Sequence, residues 1–361
     1  MQKLHLNCPI NGVSYGISSL QILKGLLKHR DITLWPISQV SLEKQEDVKL
    51  IQTLVNKQQS PELDLNAPTI RIYHQNMLGE RIGRGKSYGY PFFELDTFTS
   101  VEKTNLNSVD HLLVASKWAK EVCLKNDIKV PIDVVNLGVD EEECGQIRKE
   151  PKAHYNRCVF ITIGKWEIRK GHADLYRVFD KAFSDKDDVE LWLVTHNFFN
   201  TKEENEQWEA YYKYSKMGQA GKIRIYPRIP KHNDVLRLIN KADCAVFLSR
   251  AEGWNLGLLE SMALGKECIA TNYSAHTEYL SSDNCHLIPI DNLEDAYDLK
   301  FFNGTGKWAS FGENQESITV EYLRHIYNRW KDGEDLTNHK GIETAQKFTW
   351  ENTVNQLLQI L

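Results

Sequence analysis

The feature that most constrains this sequence is its alternation of short apolar runs with longer amphipathic stretches. The runs CVFITI at 158–163 and VELWLV at 189–194 have the length and continuous apolarity of strands buried on both faces. Stretches such as 14–28, 171–183 and 232–241 carry apolar residues at helical spacing. This pattern predicts βα units on largely parallel sheets, and therefore an α/β fold.

The length of the chain favours two such domains, since 361 residues exceed the usual size of one. A charged, turn-rich stretch at 141–155 interrupts the alternation and is the predicted linker. We therefore expect Rossmann-like domains over 1–145 and 150–339, with a helical segment over 340–361. Ligands of such domains bind beyond the carboxyl ends of the strands, near helix N-termini.

Charge and cysteine content exclude several classes of protein. The net charge of −5 gives no general reason to expect nucleic-acid binding, although a local basic patch is compatible with it. The seven cysteines are scattered and never spaced as C-x-x-C, which argues against a disulfide framework and a zinc site. No apolar stretch approaches the length of a membrane span or signal sequence, so we expect a cytoplasmic protein without a transmembrane segment.

A first candidate site follows the strand CAVFLS, where the sequence reads EGWNLGLLE from Glu252 to Glu260. Gly253 is expected to allow a tight turn into a helix that begins near Asn255. The free N–H groups at Asn255 and Leu256 would suit a phosphate. Glu252 and Glu260 would form a carboxylate pair able to bind the hydroxyls of a sugar and a ribose. The alternative is a glycine-capped helix with two surface glutamates.

A second candidate site follows the strand VFITI. Between Gly164 and Gly171 the loop places Lys165 and Lys170 five residues apart, near one strand end. Two cations at one point would stabilise the negative charge that develops on a departing diphosphate. The alternative is a solvated basic loop.

Together, these stretches resemble the family-four retaining glycosyltransferases of the GT-B fold, the glycosyl transferases group 1. That family carries a G-R/K-x-x-x-x-K-G loop followed by a Glu-(seven residues)-Glu motif, and this sequence has both in the same order. SMALGKECIAT after the motif and FTWE at 348–351 also match the pattern of the family. The resemblance covers nearly all of 150–361 and is looser before it.

The resemblance implies two Rossmann-like domains facing a cleft, with a C-terminal helix that crosses back to the N-terminal domain. The second domain would bind a nucleoside diphosphate sugar, and the first an acceptor. Its implied donor-binding residues are Gly12, Gly164, Lys165, Lys170, Ile229, Glu252, Gly253, Trp254, Asn255, Leu256 and Glu260. Its implied catalytic residues are His74, Glu252, Lys165 and Lys170.

The roles of these residues differ. Lys165 and Lys170 would neutralise the diphosphate, Glu252 would hold the sugar and Glu260 the ribose. Ile229 would pack against the base. His74 stands where the family commonly carries a histidine near acceptor and donor sugar, and a backbone-bonded loop histidine is the alternative.

Three departures from the family pattern affect details of the site. The first loop has Gly12 but lacks the usual double glycine. The sequence therefore does not determine whether this loop contacts the diphosphate. Lys165 replaces an arginine and loses the bidentate geometry. Trp254 and Asn255 replace the usual Phe-Gly.

The expected activity is retaining, metal-independent transfer of a sugar to a glycan, a lipid-linked glycan or another phosphate-bearing acceptor. The donor is a co-substrate and no cofactor or metal is expected, because Asp185-Lys-Asp187 lies in a connector where a solvated turn is expected. The basic loop Arg81–Lys86 is either an acceptor-phosphate site or a solvated loop. The rival functions are a sugar-nucleotide epimerase, a phosphorylase and a non-catalytic nucleotide-sugar-binding protein, with glycosylation of modified nucleic-acid bases as a minor alternative.

Overall fold

The chain folds into two α/β units, each with its own sheet. The computed structural model describes residues 1–42, 44–150, 156–226 and 229–361. Unit 1 comprises Met1–Gly138 and Phe348–Leu361, and unit 2 comprises Val139–Lys347. The first crossing between units precedes the predicted one at 145–150, because Glu141–Arg148 form a helix of unit 2 rather than a linker. Residues 151–155 of the predicted linker lie outside the described residues.

Unit 1 contains a parallel six-stranded sheet with the strand order β2-β1-β3-β4-β5-β6. Its elements up to residue 138 are β1 Lys3–Cys8, α1 Ser14–Leu26, β2 Asp31–Pro36, α2 Gln45–Asn56, β3 Thr69–Arg71, β4 Ser87–Gly89, α3 Ser100–Leu106, β5 His111–Val114, α4 Lys117–Lys125 and β6 Ile132–Val134. After β1 the chain adds β2 on one side and β3 on the other. The strand order therefore reverses between β1 and β3, and such a reversal opens a crevice for ligands.

Unit 2 contains a second parallel six-stranded sheet, with the order β12-β11-β10-β7-β8-β9. Its elements are α5 Glu141–Arg148, β7 Cys158–Ile163, α6 His172–Ala182, β8 Val189–Val194, α7 Lys202–Lys213, α8 Lys216–Gln219, β9 Ile223–Tyr226, α9 His232–Lys241, β10 Cys244–Phe247, α10 Leu256–Ala263, β11 Glu267–Thr271, β12 His286–Ile288, β13 Leu293–Tyr297, β14 Asn303–Ala309, α11 Glu313–Lys331 and α12 His339–Ala345. This is the doubly wound Rossmann order, whose reversal lies between β7 and β10. Strands β13 and β14 form a separate antiparallel hairpin.

The last helix, α13 Trp350–Ile360, returns to unit 1, as expected from the resemblance. It packs on α1 at Gly25, where an added Cβ would lie 2.4 Å from Cγ2 of Val354. The hydroxyl of Thr353 donates to the carbonyl of Asn136 at 2.7 Å. The prediction of one helical segment over 340–361 was incomplete, because Thr349 caps a new helix after α12 has ended. Among the described residues, no helix is long and apolar enough to cross a membrane.

Candidate active site

The two predicted motifs meet at the strand-order reversal of unit 2. The loop from Gly164 to Gly171 follows β7, and the loop from Leu248 to Asn255 follows β10. These two strands are neighbours in the sheet. Because parallel strands end at the same edge, both loops lie where this topology places its ligand crevice.

A chain of charged side chains connects the two loops. The Nζ of Lys170 donates to Oε1 of Glu252 at 2.6 Å. The other oxygen of Glu252, Oε2, accepts from Nη1 of Arg169 at 3.0 Å. Nη2 of Arg169 bonds to Glu167 at 2.8 Å, and Lys165 reaches the second oxygen of Glu167 at 2.8 Å. Lys165, Glu167, Arg169, Glu252 and Lys170 therefore alternate in sign, and we call these five residues the charge network.

Arg169 and Glu167 are members of this network that sequence reasoning missed. Both are buried, with exposed fractions of 5% and 6%. Arg169 also donates to the carbonyl oxygen of Ala251 at 2.7 Å, so one guanidinium holds both loops. An arginine beside a lysine in a basic loop gives no sign of burial in the sequence. The only signal was the presence of a glutamate two residues before it.

Glu252 is held as an ionised carboxylate. Burial alone would raise its pKa, but the cations of Lys170 and Arg169 outweigh burial and hold the pKa of Glu252 well below its ordinary value. Ser249 donates a further hydrogen bond to Oε1 at 2.6 Å, and the backbone N–H of Glu252 donates to Ser274 Oγ at 2.8 Å. Glu252 is therefore a fixed hydrogen-bond acceptor.

Gly171 allows the two loops to approach closely. Its φ is +71°, and a Cβ at this position would lie 2.1 Å from the carbonyl oxygen of Leu248. A side chain would be strained in conformation and would also collide with the backbone. The approach lets the N–H of Arg250 donate to the carbonyl of Arg169 at 2.7 Å. The glycine that ends the predicted motif therefore sets the position of the lysine before it.

Helix α10 begins beside Glu252, with Asn255 as its N-cap. Asn255 adopts the left-handed conformation in this turn, with a φ of +79°. The Oδ1 of Asn255 accepts from the N–H of Leu258 at 3.3 Å, and its Nδ2 lies 2.9 Å from Nε2 of His276. The first N–H groups of a helix have no acceptor within it, so this terminus can bind an anion.

His276 fixes the orientation of this asparagine. Its Nδ1 lies 2.8 Å from the carbonyl oxygen of Thr271, so Nδ1 carries the proton and Nε2 accepts from Asn255. Burial lowers the pKa of His276, which keeps the ring neutral. The neighbouring Trp254 is also held: its ring lies 5.2 Å from that of Tyr279, whose hydroxyl donates to the Trp254 carbonyl at 2.9 Å.

Glu260 lies on α10, outside the charge network. It is 7% exposed and its Oε1 is 2.8 Å from Nε2 of His232, the first residue of α9. The carboxylate of Glu260 raises the pKa of His232 to about 9. Sequence reasoning missed this pair, because the two residues belong to different helices. Ile229, the proposed base contact, is half-buried after β9, but residues 227 and 228 of its loop lie outside the described residues.

The strand-order reversal of unit 1 carries the other two predicted residues, Gly12 and His74. Gly12 lies in the bend after β1, and His74 lies three residues after β3. The ring of His74 is 4.8 Å from that of Tyr15 and 4.9 Å from that of Tyr73. The Tyr15 hydroxyl donates to the carbonyl of Phe92 at 2.9 Å and accepts from its N–H at 2.7 Å. These residues form an aromatic cluster in unit 1.

The remaining charged motifs have partners within their own units. Arg81 bonds to Asp110 at 2.6 Å. In the connector Asp185-Lys-Asp187, Asp187 accepts from Ser184 at 2.8 Å and from Arg324 at 3.1 Å. Within the described ranges, no three His, Cys, Asp or Glu side chains converge as they would around a metal ion.

Comparison with known proteins finds a match to a glycosyl transferase family in unit 2. Residues 145–298, all within unit 2, match the model of the family described as Glycosyl transferases group 1. No curated protein matches the chain in sequence. The family match and the fold together support a glycosyltransferase.

Solved structures share the fold of the whole chain. Sucrose-phosphate synthase from Thermosynechococcus elongatus has a TM-score of 0.71 at 14% identity, covering 100% of this chain and 98% of its own. A glycosyltransferase from Rickettsia africae has a TM-score of 0.66 at 15% identity, covering 99% and 97%. HepE of Anabaena, solved in complex with UDP and glucose, has a TM-score of 0.67 at 14% identity, covering 100% and 99%. At such identities the likeness shows the fold, which is GT-B as expected.

Proposed function

We propose that this protein transfers a sugar from a nucleoside diphosphate sugar, with retention of anomeric configuration and without a divalent metal. The observation that carries the proposal is the charge network at the strand-order reversal of unit 2. It has three cations, two buried carboxylates and a helix N-terminus beside them. Few ligands other than a diphosphate joined to a polyhydroxylated sugar would use all of these groups.

The diphosphate is assigned to Lys165, Lys170 and the first N–H groups of α10. Lys165 is 39% exposed at its side chain and Lys170 15%, so both can be reached by ligand oxygens. When the donor binds, phosphate oxygens replace Glu252 at the Lys170 ammonium. The two cations then stabilise the charge that accumulates on the leaving diphosphate as the glycosidic bond breaks, a role filled by Mg²⁺ in metal-dependent enzymes.

The two glutamates are assigned to hydroxyl groups of the donor. An ionised carboxylate only accepts hydrogen bonds, so it is suited to a pair of O–H donors. Glu252, kept ionised and oriented by Arg169 and Ser249, is assigned to the transferred sugar. Glu260, oriented by His232, is assigned to the ribose. Trp254 and Ile229 are assigned to shaping the nucleotide pocket.

The proposals of retention and of the acceptor class rest on the resemblance of the sequence to the glycosyltransferase family. The acceptor is proposed to be a glycan, a lipid-linked glycan or another phosphate-bearing molecule, with His74 helping to position it. His74 is an exposed residue, so a ligand can contact it.

The test is donor hydrolysis, which needs no knowledge of the acceptor. The protein is incubated with UDP-, GDP- and ADP-sugars in the presence of a chelator, and release of the nucleoside diphosphate is followed. NMR then reads the anomer of the freed sugar before it mutarotates. We expect release from one donor, with the α-anomer formed from an α-linked donor. The inverted anomer would refute retention, and binding without release would identify a non-catalytic nucleotide-sugar-binding protein.

A further inference from the structure

The exposed aromatic side chains of this protein are concentrated in one part of unit 2. Across the described ranges, every exposed Phe, Tyr or Trp lies within two segments, 198–214 and 297–301. The six residues are Phe198, Phe199, Tyr211, Tyr214, Tyr297 and Phe301, with exposed fractions between 49% and 77%. Single exposed apolar residues are ordinary on a protein surface, but a concentration of this kind marks a binding surface.

The two segments form one surface, which we call the aromatic face. The ring of Phe199 lies 5.6 Å from that of Phe301 in edge-to-face geometry. Lys300 bonds to Glu204 at 2.8 Å and to Asn200 at 3.0 Å, which fixes the hairpin β13–β14 to the start of α7. The rings are therefore presented by elements that are tied together.

A groove of about 660 Å³ runs beside α7 on this face. Rings line it at Phe198 and Tyr214, and hydrogen-bonding groups line it at His196, Asn200 and Glu206. The ring of Phe198 packs at 4.7 Å against that of His196, which limits its motion. Its size falls within the range of small-molecule sites, roughly 300–1,000 Å³. Seven of its ten lining residues are polar or charged, and two are Phe or Tyr.

The charge of the aromatic face limits what it can bind. Segments 196–214 and 293–301 contain seven carboxylates and three lysines. Five of these carboxylates form ion pairs, two of them with Arg250 and Lys307 from outside the segments, so the remaining excess of negative charge is small. The face therefore lacks the excess of cations by which basic surfaces attract nucleic acid and anionic membranes. A neutral glycan is compatible with both properties: its C–H faces pack on aromatic rings, and its hydroxyls donate to carboxylate and amide oxygens.

We propose that the aromatic face binds a neutral glycan chain. The face is continuous with the charge network, since Nζ of Lys165 lies 5.3 Å from the centre of the Phe199 ring. A glycan bound there therefore extends to the edge of the candidate donor site. Binding needs no nucleotide, so this proposal and the proposed function can fail separately.

The experiment measures binding to the full chain without donor. Maltohexaose, cellohexaose and chitohexaose are titrated calorimetrically, and saturation-transfer NMR identifies the sugars in contact with the protein. We expect at least one of them to bind with a Kd of millimolar or below. The double variant Phe198→Ala/Tyr214→Ala should weaken that binding at least tenfold. Nucleoside diphosphate affinity should stay unchanged because both rings lie outside the charge network, and the Tm should fall only slightly because the Phe198 ring loses its contact with His196. Leu124→Ala, an exposed apolar residue of unit 1, is the matched control.

Several results would overturn the proposal. Failure of all three hexasaccharides to bind would do so, as would equal binding to the double variant. The face would instead be a membrane surface if phosphatidylglycerol vesicles bound the wild type and not the double variant. It would be a self-association surface if the double variant abolished a concentration-dependent dimer.

Discussion

The two strand-order reversals of this molecule each lie beside the first strand of their sheet, β1 or β7, but are built from different side chains. In unit 2, Arg169 and Glu252 anchor a network of alternating charges. In unit 1, Tyr15, Tyr73 and His74 form a cluster of rings. The carboxylate of Glu252 is held by two cations, whereas Tyr15 is held by hydrogen bonds to the backbone of Phe92.

The same topology therefore provides a ligand crevice in both units, and the side chains at each crevice determine which ligand it binds. Buried charges that are already paired can exchange their partners for the charges of a ligand at little cost in desolvation. Aromatic rings offer apolar faces and fixed directions for hydrogen bonds. We therefore expect substitutions in unit 2 to act through charge, and those in unit 1 to act through positioning.

Replacing Arg169 should have the largest effect on stability. Arg169→Met leaves two buried carboxylates with one cation each, and removing one partner from a buried ion pair costs about 3–5 kcal/mol. Tyr15→Phe is the counterpart in unit 1 and should lower the free energy of unfolding by about 1–3 kcal/mol, since it removes hydrogen bonds from one backbone segment. Urea denaturation measures both. Equal losses of unfolding free energy in the two variants would mean that buried charge stabilises unit 2 no more than the Tyr15 hydrogen bonds stabilise unit 1.

Lys170→Ala should cost about tenfold to a thousandfold in turnover, because its charge acts on the leaving diphosphate in the transition state. Stability should change less, since Arg169 and Ser249 still bind Glu252. Release of nucleoside diphosphate and the Tm are measured side by side. Lys186→Ala, at an exposed position of the same unit, is the control and should leave both turnover and Tm unchanged. Near-wild-type turnover in Lys170→Ala would remove this lysine from the mechanism.

A nucleoside diphosphate should stabilise the protein in the presence of a chelator. A ligand that binds only the native state at about 100 times its Kd adds about 2.7 kcal/mol. Lys165→Ala should weaken the binding, because one of the two assigned cations is lost. Thermal shift with UDP, GDP and ADP measures the effect. Stabilisation that disappears in chelator and returns with Mg²⁺ or Mn²⁺ would show that the cations are not the lysines.

His74→Ala should lower sugar transfer by about an order of magnitude while nucleoside diphosphate affinity stays close to the wild-type value. The expected split follows from a role in positioning rather than in donor binding. His74→Phe keeps a ring beside Tyr15 and separates packing from hydrogen bonding. If affinity and Tm fell together, with the remaining folded protein fully active, the histidine would be structural.

The His232–Glu260 pair should give the smallest effect, a pH dependence of stability. Since the pKa of His232 is raised from 6.5 to about 9, its contribution is complete below pH 6.5 and is lost as the pH rises through about 9. The pair is partly exposed, so we expect about 1 kcal/mol. Unfolding of the wild type and His232→Gln is compared at pH 6 and pH 10. A difference between the two proteins that does not shrink at pH 10 would contradict the assignment.

The sequence predicted those parts of the fold that depend on continuous burial. Val189–Val194 is apolar enough to be recognised, because a strand covered on both faces needs no alternation. The three-residue strand β4 was missed because Ser87 and Gly89 give it no apolar run. The hairpin β13–β14 was missed because its strands carry charged and glycine residues.

The same distinction applies to the candidate site. Two lysines of one loop were predicted because a single strand end positions both. The contact of Arg169 with Glu252 joins residues 83 apart in the chain, so no local pattern reports it. The left-handed conformation of Asn255 was not predicted, because a non-glycine residue rarely adopts it and the side-chain contact with His276 is 21 residues away in the chain.

The return of α13 to unit 1 has a consequence for the order in which the protein is made. During translation, domains usually fold as their residues emerge, the N-terminal one first. Here Val139–Lys347 is a contiguous segment, but unit 1 lacks Phe348–Leu361 until all of unit 2 has been synthesised. Until then, the surface of α1 at Gly25 is not covered by the side chain of Val354. The nascent chain therefore contains all of unit 2 before it contains α13, which completes unit 1.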